Sequence, residues 1–139
     1  MELENPSRLS TVTAAFAGLL AVVVFAPLVV VSGAGQTLTA YYAAGPFGLT
    51  AVGLLALVAT VVFLSVSQPH TDELLLSGAA LVLAVGTLLL AVVWILSLDA
   101  TVLFSFPAEY AWIADHRWAV LAATIGLTAA AGVQARAVL

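Results

Sequence analysis

Four long apolar runs separated by short polar stretches set the pattern of this chain. The clearest is Leu74 to Leu98, which carries no charged residue. As a helix it would reach roughly 37 Å, at about 1.5 Å per residue. A hydrocarbon core of about 30 Å needs roughly 20 apolar residues, and only a helix or a closed barrel satisfies every backbone polar group inside it. The run therefore predicts a transmembrane helix, and residues 9–31, 47–66 and 118–137 repeat the pattern. The expected fold is all-α: an integral membrane four-helix bundle, a single transmembrane domain over residues 1–139. Its spans (9–31, 47–66, 74–98, 118–137) run antiparallel, up and down, with a short interfacial helix before the last span.

The polar stretches refine this outline. No formally charged residue lies between Leu9 and Pro69, so the first two spans and their connection, 32–46, form one uncharged hairpin. Gly33 and Gly35 are turn formers in that connection, and Tyr41 and Tyr42 are expected as amphipathic anchors at the headgroup level. Pro27 should open or bend the end of the first span, since it lacks an N–H and its ring crowds the preceding turn. The short turn 67–73 makes spans two and three antiparallel neighbours, with Asp72 and Glu73 at the positive end of the next helix dipole. Pro107 followed by Glu109 predicts a helix along the interface as far as Ala114, and Asp115 is the expected N-cap of the last span. Small residues recur on single faces, as in Ala14 with Gly18, in Gly53, Ala56 and Thr60, and in Ala80, Ala84, Thr87 and Ala91. The best such packing face is Ala122, Gly126 and Ala130, because helices associate in lipid through close approach of small residues.

Composition removes several classes. Hydrophobic residues make up 64% and charged residues 7%, against about 25% charged in an ordinary soluble domain. The absence of cysteine excludes disulfides, thiolate metal sites and nucleophilic thiols. The only basic side chains are Arg8, Arg117 and Arg136, and seven acids bring the net charge to -4, which argues against nucleic acid as a partner. The opening MELENPSR is acidic where a secretory signal is basic, so the first span is expected to stay attached. AYYAAGPFG (Ala40 to Gly48), QPHTDE (Gln68 to Glu73) and HRW (His116 to Trp118), in an acidic, lysine-free background, carry a resemblance. The layout resembles small uncharacterised haloarchaeal membrane proteins with four predicted spans. That resemblance implies topology and habitat, and no activity.

With four spans, both termini share a side, where Arg8 and Arg136 outnumber Arg117 opposite. The positive-inside rule then expects cytoplasmic termini. Tyr41, Tyr42, Trp94, Tyr110, Trp112 and Trp118 all fall toward the loop side, and with Arg117 they form the candidate surface for a lipid, a pigment or a partner. An ionisable residue inside a span would be the usual functional pointer, and none is expected. Intramembrane polarity is read as threonines (Thr60, Thr87, Thr124 and Thr128) bonded back to their own helices. His70 and His116 fall about 30 Å apart on opposite faces, each read as solvated in a polar turn. The sharper alternative is a loosely held cation, at His70 with Asp72 and Glu73 or at His116 with Asp99, Glu109 and Asp115. No hydrolytic triad, phosphate loop, metal motif or cofactor signature is present. The expectation is a non-enzymatic structural or accessory protein of the cell membrane that contacts lipids and self-associates or joins a larger membrane complex. The alternative is a binding protein or carrier for an isoprenoid lipid or carotenoid, held against the outer aromatic residues.

Overall fold

The computed structural model describes residues 6–31, 35–66 and 72–138. The turn containing His70, residues 32–34 with Gly33, and the Arg8 side chain lie outside the described residues.

The apolar runs become four long helices, α1 (Pro6–Val30), α3 (Gly48–Val66), α4 (Glu73–Ser97) and α6 (Ile113–Val138). All four are long and apolar enough to cross a membrane. Two short helices join them at the loop end, α2 (Gly35–Ala43) and α5 (Ala100–Leu103). Local chemistry sets several of the boundaries. Asp72 caps α4 by accepting the Leu75 N–H at 3.1 Å, and Asp99 caps α5 by accepting the Thr101 N–H at 2.9 Å. Gly48 opens α3 with φ +75°, a left-handed conformation that suits glycine.

The long helices form a closed four-sided bundle in chain order, α1 against α3, α3 against α4, α4 against α6, and α6 back against α1. Neighbours run antiparallel: the Ser10 hydroxyl, early in α1, bonds the Phe63 carbonyl late in α3, and Gly126 of α6 faces Phe16 of α1. The interior combines small side chains, Ala14, Ala17, Ala56, Ala59, Ala84 and Ala131, with large ones, among them Leu20, Leu49, Phe63, Trp94 and Leu127, all buried. Large apolar side chains such as Val22, Val61, Val82 and Leu96 point outward and are exposed. Large apolar side chains exposed along every long helix are what lipid accommodates, since hydrocarbon solvates Leu and Val as well as a core does.

Several expectations change at this level. In the connection between the first two spans residues 35–43 form α2, and Tyr41 and Tyr42 are buried, not spread at the interface as anchors. The interfacial helix expected from Pro107 to Ala114 is a single 3₁₀ turn, Ala108–Tyr110. Asp115 is not an N-cap, because α6 starts earlier, at Ile113, and takes Asp115 into its first turn. Nothing comes within 4 Å of a Cβ built on Gly18, so the close approach expected at Ala14 and Gly18 does not extend to Gly18. In α4 the stripe Ala80, Ala84, Thr87 and Ala91 is fully buried. In α6, by contrast, the buried seam is Val120, Thr124, Leu127, Ala131 and Gln134. Of the expected face, Ala122 is exposed, Gly126 and Ala130 are half-buried, and Gly126 has a tight neighbour, Phe16.

Candidate functional site

The loop end of the bundle holds a buried polar knot whose origin is Pro27. Helix α1 runs through this proline to Val30. Proline has no N–H, so the carbonyl four residues earlier, that of Val23, has no intrahelical donor. His116 of α6 fills the gap, with Nε2 2.6 Å from the Val23 oxygen. A carbonyl only accepts, so Nε2 carries the proton. Nδ1 of the neutral ring then accepts the Tyr41 hydroxyl, 2.7 Å away. One residue along, the Tyr42 hydroxyl donates to the Val24 carbonyl. Tyr41 lies in the last turn of α2, where carbonyls lack helical partners, and its own carbonyl accepts the Trp94 indole N–H at 2.9 Å.

His116 thus supplies the donor that Pro27 removes, which is how the proline is tolerated inside the bundle, while Tyr42 and Trp94 tie α2 to α1 and α4. Aromatic packing closes the knot. The Tyr41 ring meets Trp94 edge-on at 5.1 Å, and Tyr42 and Phe106 at 5.8 Å each, while Trp112 approaches His116 at 6.3 Å. Tyr41 is 0% and His116 6% exposed. Burial, reinforced by the neighbouring Tyr42 and opposed by the Arg117 charge, pushes the Tyr41 phenol well above its usual pKa. Burial also raises Tyr42, against the contact with the Leu28 backbone.

This geometry corrects the reading of His116 as a solvated turn residue. Both ring nitrogens are engaged, so it has none left to ligate a cation with Asp99, Glu109 or Asp115. Among the described residues there is no group of three or more His, Asp or Glu side chains able to hold a metal ion. The threonines behave as expected: Thr60, Thr87, Thr124 and Thr128 each bond a carbonyl of their own helix, and Thr128 also reaches the Ala84 carbonyl at 3.3 Å.

The candidate surface divides in two. Tyr41, Tyr42 and Trp94 are brought together inside the knot and are buried. Tyr110 is half-buried, whereas Trp112 and Trp118 are 40% and 50% exposed. Arg117 stacks on Trp118, its guanidinium carbon 4.9 Å from the ring centroid, and its buried Nη1 has no hydrogen-bond partner. Beside the knot, a groove of about 490 Å³ opens between α1, α2 and the start of α3, lined by Leu28, Leu38, Thr39, Tyr42, Phe47 and Thr50. A second, also about 490 Å³, lies on the outer face of α4, along Leu75, Gly78, Ala79 and Val82.

One polar residue inside a span escaped the sequence reading. Gln134, near the end of α6, is 0% exposed with neither amide atom hydrogen-bonded, and Ser77 of α4 likewise has an unpartnered buried hydroxyl. A glutamine so close to the end of a span reads as one that reaches out to water, and only the rotation of α6 shows that it does not.

An all-helical bundle with four apolar helices of spanning length, and large apolar side chains exposed along them, has the makeup of a multi-pass membrane protein. The chain belongs to DUF7548, a family of unknown function whose model matches residues 1–139. Comparison with curated proteins and with solved structures gives no match.

Proposed function

We propose that this is a non-enzymatic structural or accessory protein of the cell membrane, which self-associates or joins a larger membrane complex. The observation that carries the reading is the outer face of α4. A groove runs there along Gly78, Ala79 and Val82, and nothing of the chain lies within 4 Å of a Cβ built on Gly78 or Gly86. Small residues turned outward let a second backbone come close, and close packing is the main attraction between helices in lipid. The exposed Ala122 on α6 supports the same reading. Arg8 and Arg136 at the terminal end, against Arg117 at the loop end, support cytoplasmic termini. The acidic, lysine-free composition supports a protein of high-salt cells.

Native mass spectrometry from a gentle detergent tests the proposal. A dimer, a higher oligomer or a co-purified membrane subunit is expected, and Gly78→Leu should weaken it by filling the groove. Monomers alone, with no partner, would overturn the reading.

The groove beside the knot favours a second reading, a site for an isoprenoid lipid or carotenoid. Its volume falls within the usual range for small-molecule sites, about 300–1,000 Å³, and Leu28, Leu38 and Phe47 give it apolar walls. Solvent extraction followed by absorption and mass spectrometry would reveal such a ligand. Finding only bulk phospholipid in the extract would remove this second reading.

A further inference from the structure

Polar side chains at the terminal end of the bundle are left without partners in a place where that is costly. Gln134 is fully enclosed, and its Nε2 and Oε1 are both unpartnered, as is the buried Ser77 hydroxyl. The contact of Thr128 with Ala84 sets the antiparallel register of α6 against α4. Six residues further along α6 and six back along α4 bring Gln134 level with Gly78, one position from Ser77. On α1, Phe16 faces Gly126. The same count places Ser10 level with Gly132, within two residues of Gln134. The Ser10 hydroxyl donates to the Phe63 carbonyl, which leaves its oxygen free to accept.

A primary amide brings two donors and an acceptor with two lone pairs. A polar group left unmet away from water is costly, so a guest that satisfies these groups is favoured. The surroundings define that guest. Toward the middle of the bundle the next layer is buried Ala80, Ala84 and Ala131, with Thr13 of α1 its one buried hydroxyl among the described residues. The nearest described charge on α6, Arg136, is exposed. A neutral, enclosed site with both donors and acceptors selects a small neutral molecule that donates and accepts alike.

We propose that Gln134 and Ser77, assisted by Ser10, form an internal hydration site at the terminal end of the bundle, where bound water bridges α6 to α4. Water of this kind typically makes about three hydrogen bonds to otherwise unsatisfied buried groups. The site is independent of self-association, because Gln134 and Ser77 face the protomer's own interior.

The test uses the full-length protein in lipid nanodiscs, with ¹⁵N-labelled glutamine. Gln134→Met identifies the Gln134 side-chain amide signal by its loss. Cross-relaxation from that amide to water, with the sign of a long-lived bound molecule, is the expected result. Contacts to aliphatic protons only would overturn the proposal. Ser77→Ala should reduce the water cross-peak at Gln134 to less than about half, since one of the bridged partners is gone. An unchanged cross-peak would overturn the assignment of Ser77 to the site. Neither substitution alters the grooves, so these results stand apart from the oligomer measurement.

Discussion

The proline-histidine pairing makes a quantitative prediction. In His116→Leu, the Val23 carbonyl and the Tyr41 hydroxyl both lose their partner while remaining buried. A net contribution of about 0.5–1.5 kcal/mol per hydrogen bond, together with the desolvation of the groups left behind, gives a loss of about 2–4 kcal/mol. The Val23 share exists only because residue 27 lacks an N–H. Pro27→Ala supplies that N–H within α1, so in this background His116→Leu should cost less by about 1–2 kcal/mol. The two substitutions therefore couple, although the residues belong to different helices. Reversible unfolding in mixed detergent micelles, followed through the fluorescence of Trp94, Trp112 and Trp118, measures all four corners of the cycle. Additivity within about 0.3–0.5 kcal/mol would refute the account, since that is the behaviour of independent sites. Tyr41→Phe serves as a control: it should couple to His116→Leu through the other ring nitrogen and show no coupling to Pro27→Ala.

Two further outcomes follow from the loop end. Gly48→Ala forces an L-residue to φ +75° and sets its Cβ 2.6 Å from the Tyr42 carbonyl oxygen. The conformation alone costs about 1–2 kcal/mol, so a loss above about 2 kcal/mol is expected, and a variant as stable as the parent in the same unfolding assay would contradict the position of α2 over α3. The raised phenols of Tyr41 and Tyr42 give a pH dependence. Above about pH 10 the unfolded chain releases these protons while the folded chain keeps them. The native state then binds more protons, and stability falls as pH rises from that point. Phenolate absorbance and tryptophan fluorescence recorded together should show these two tyrosines ionising only as the fold opens. Their ionisation near pH 10 with the fluorescence still native would show that they are not buried.

The spans were legible from the sequence because their cause is local. A run such as Leu74 to Leu98 has the length and apolarity to cross hydrocarbon whatever surrounds it, and Asp72 and Asp99 act as caps within their own turns. The rotation of the helices about their axes was legible only in part: the stripe Ala80, Ala84, Thr87 and Ala91 marks the buried face of α4, and α6 carries no such mark. A soluble helix reveals its buried side by alternating apolar and polar faces, but a helix in lipid is apolar all round, so the chain carries little record of which face turns inward. On α6 the row turned to the chain's own interior is Val120, Thr124, Leu127, Ala131 and Gln134, beside the small-residue row Ala122, Gly126 and Ala130. Pro27 marks, from the sequence by itself, that the Val23 carbonyl is left without a donor. That the donor is His116, 93 residues away, was decided only when α6 closed the bundle against α1. The deficit is a property of one residue's covalent structure, whereas its remedy depends on the meeting of two helices in space.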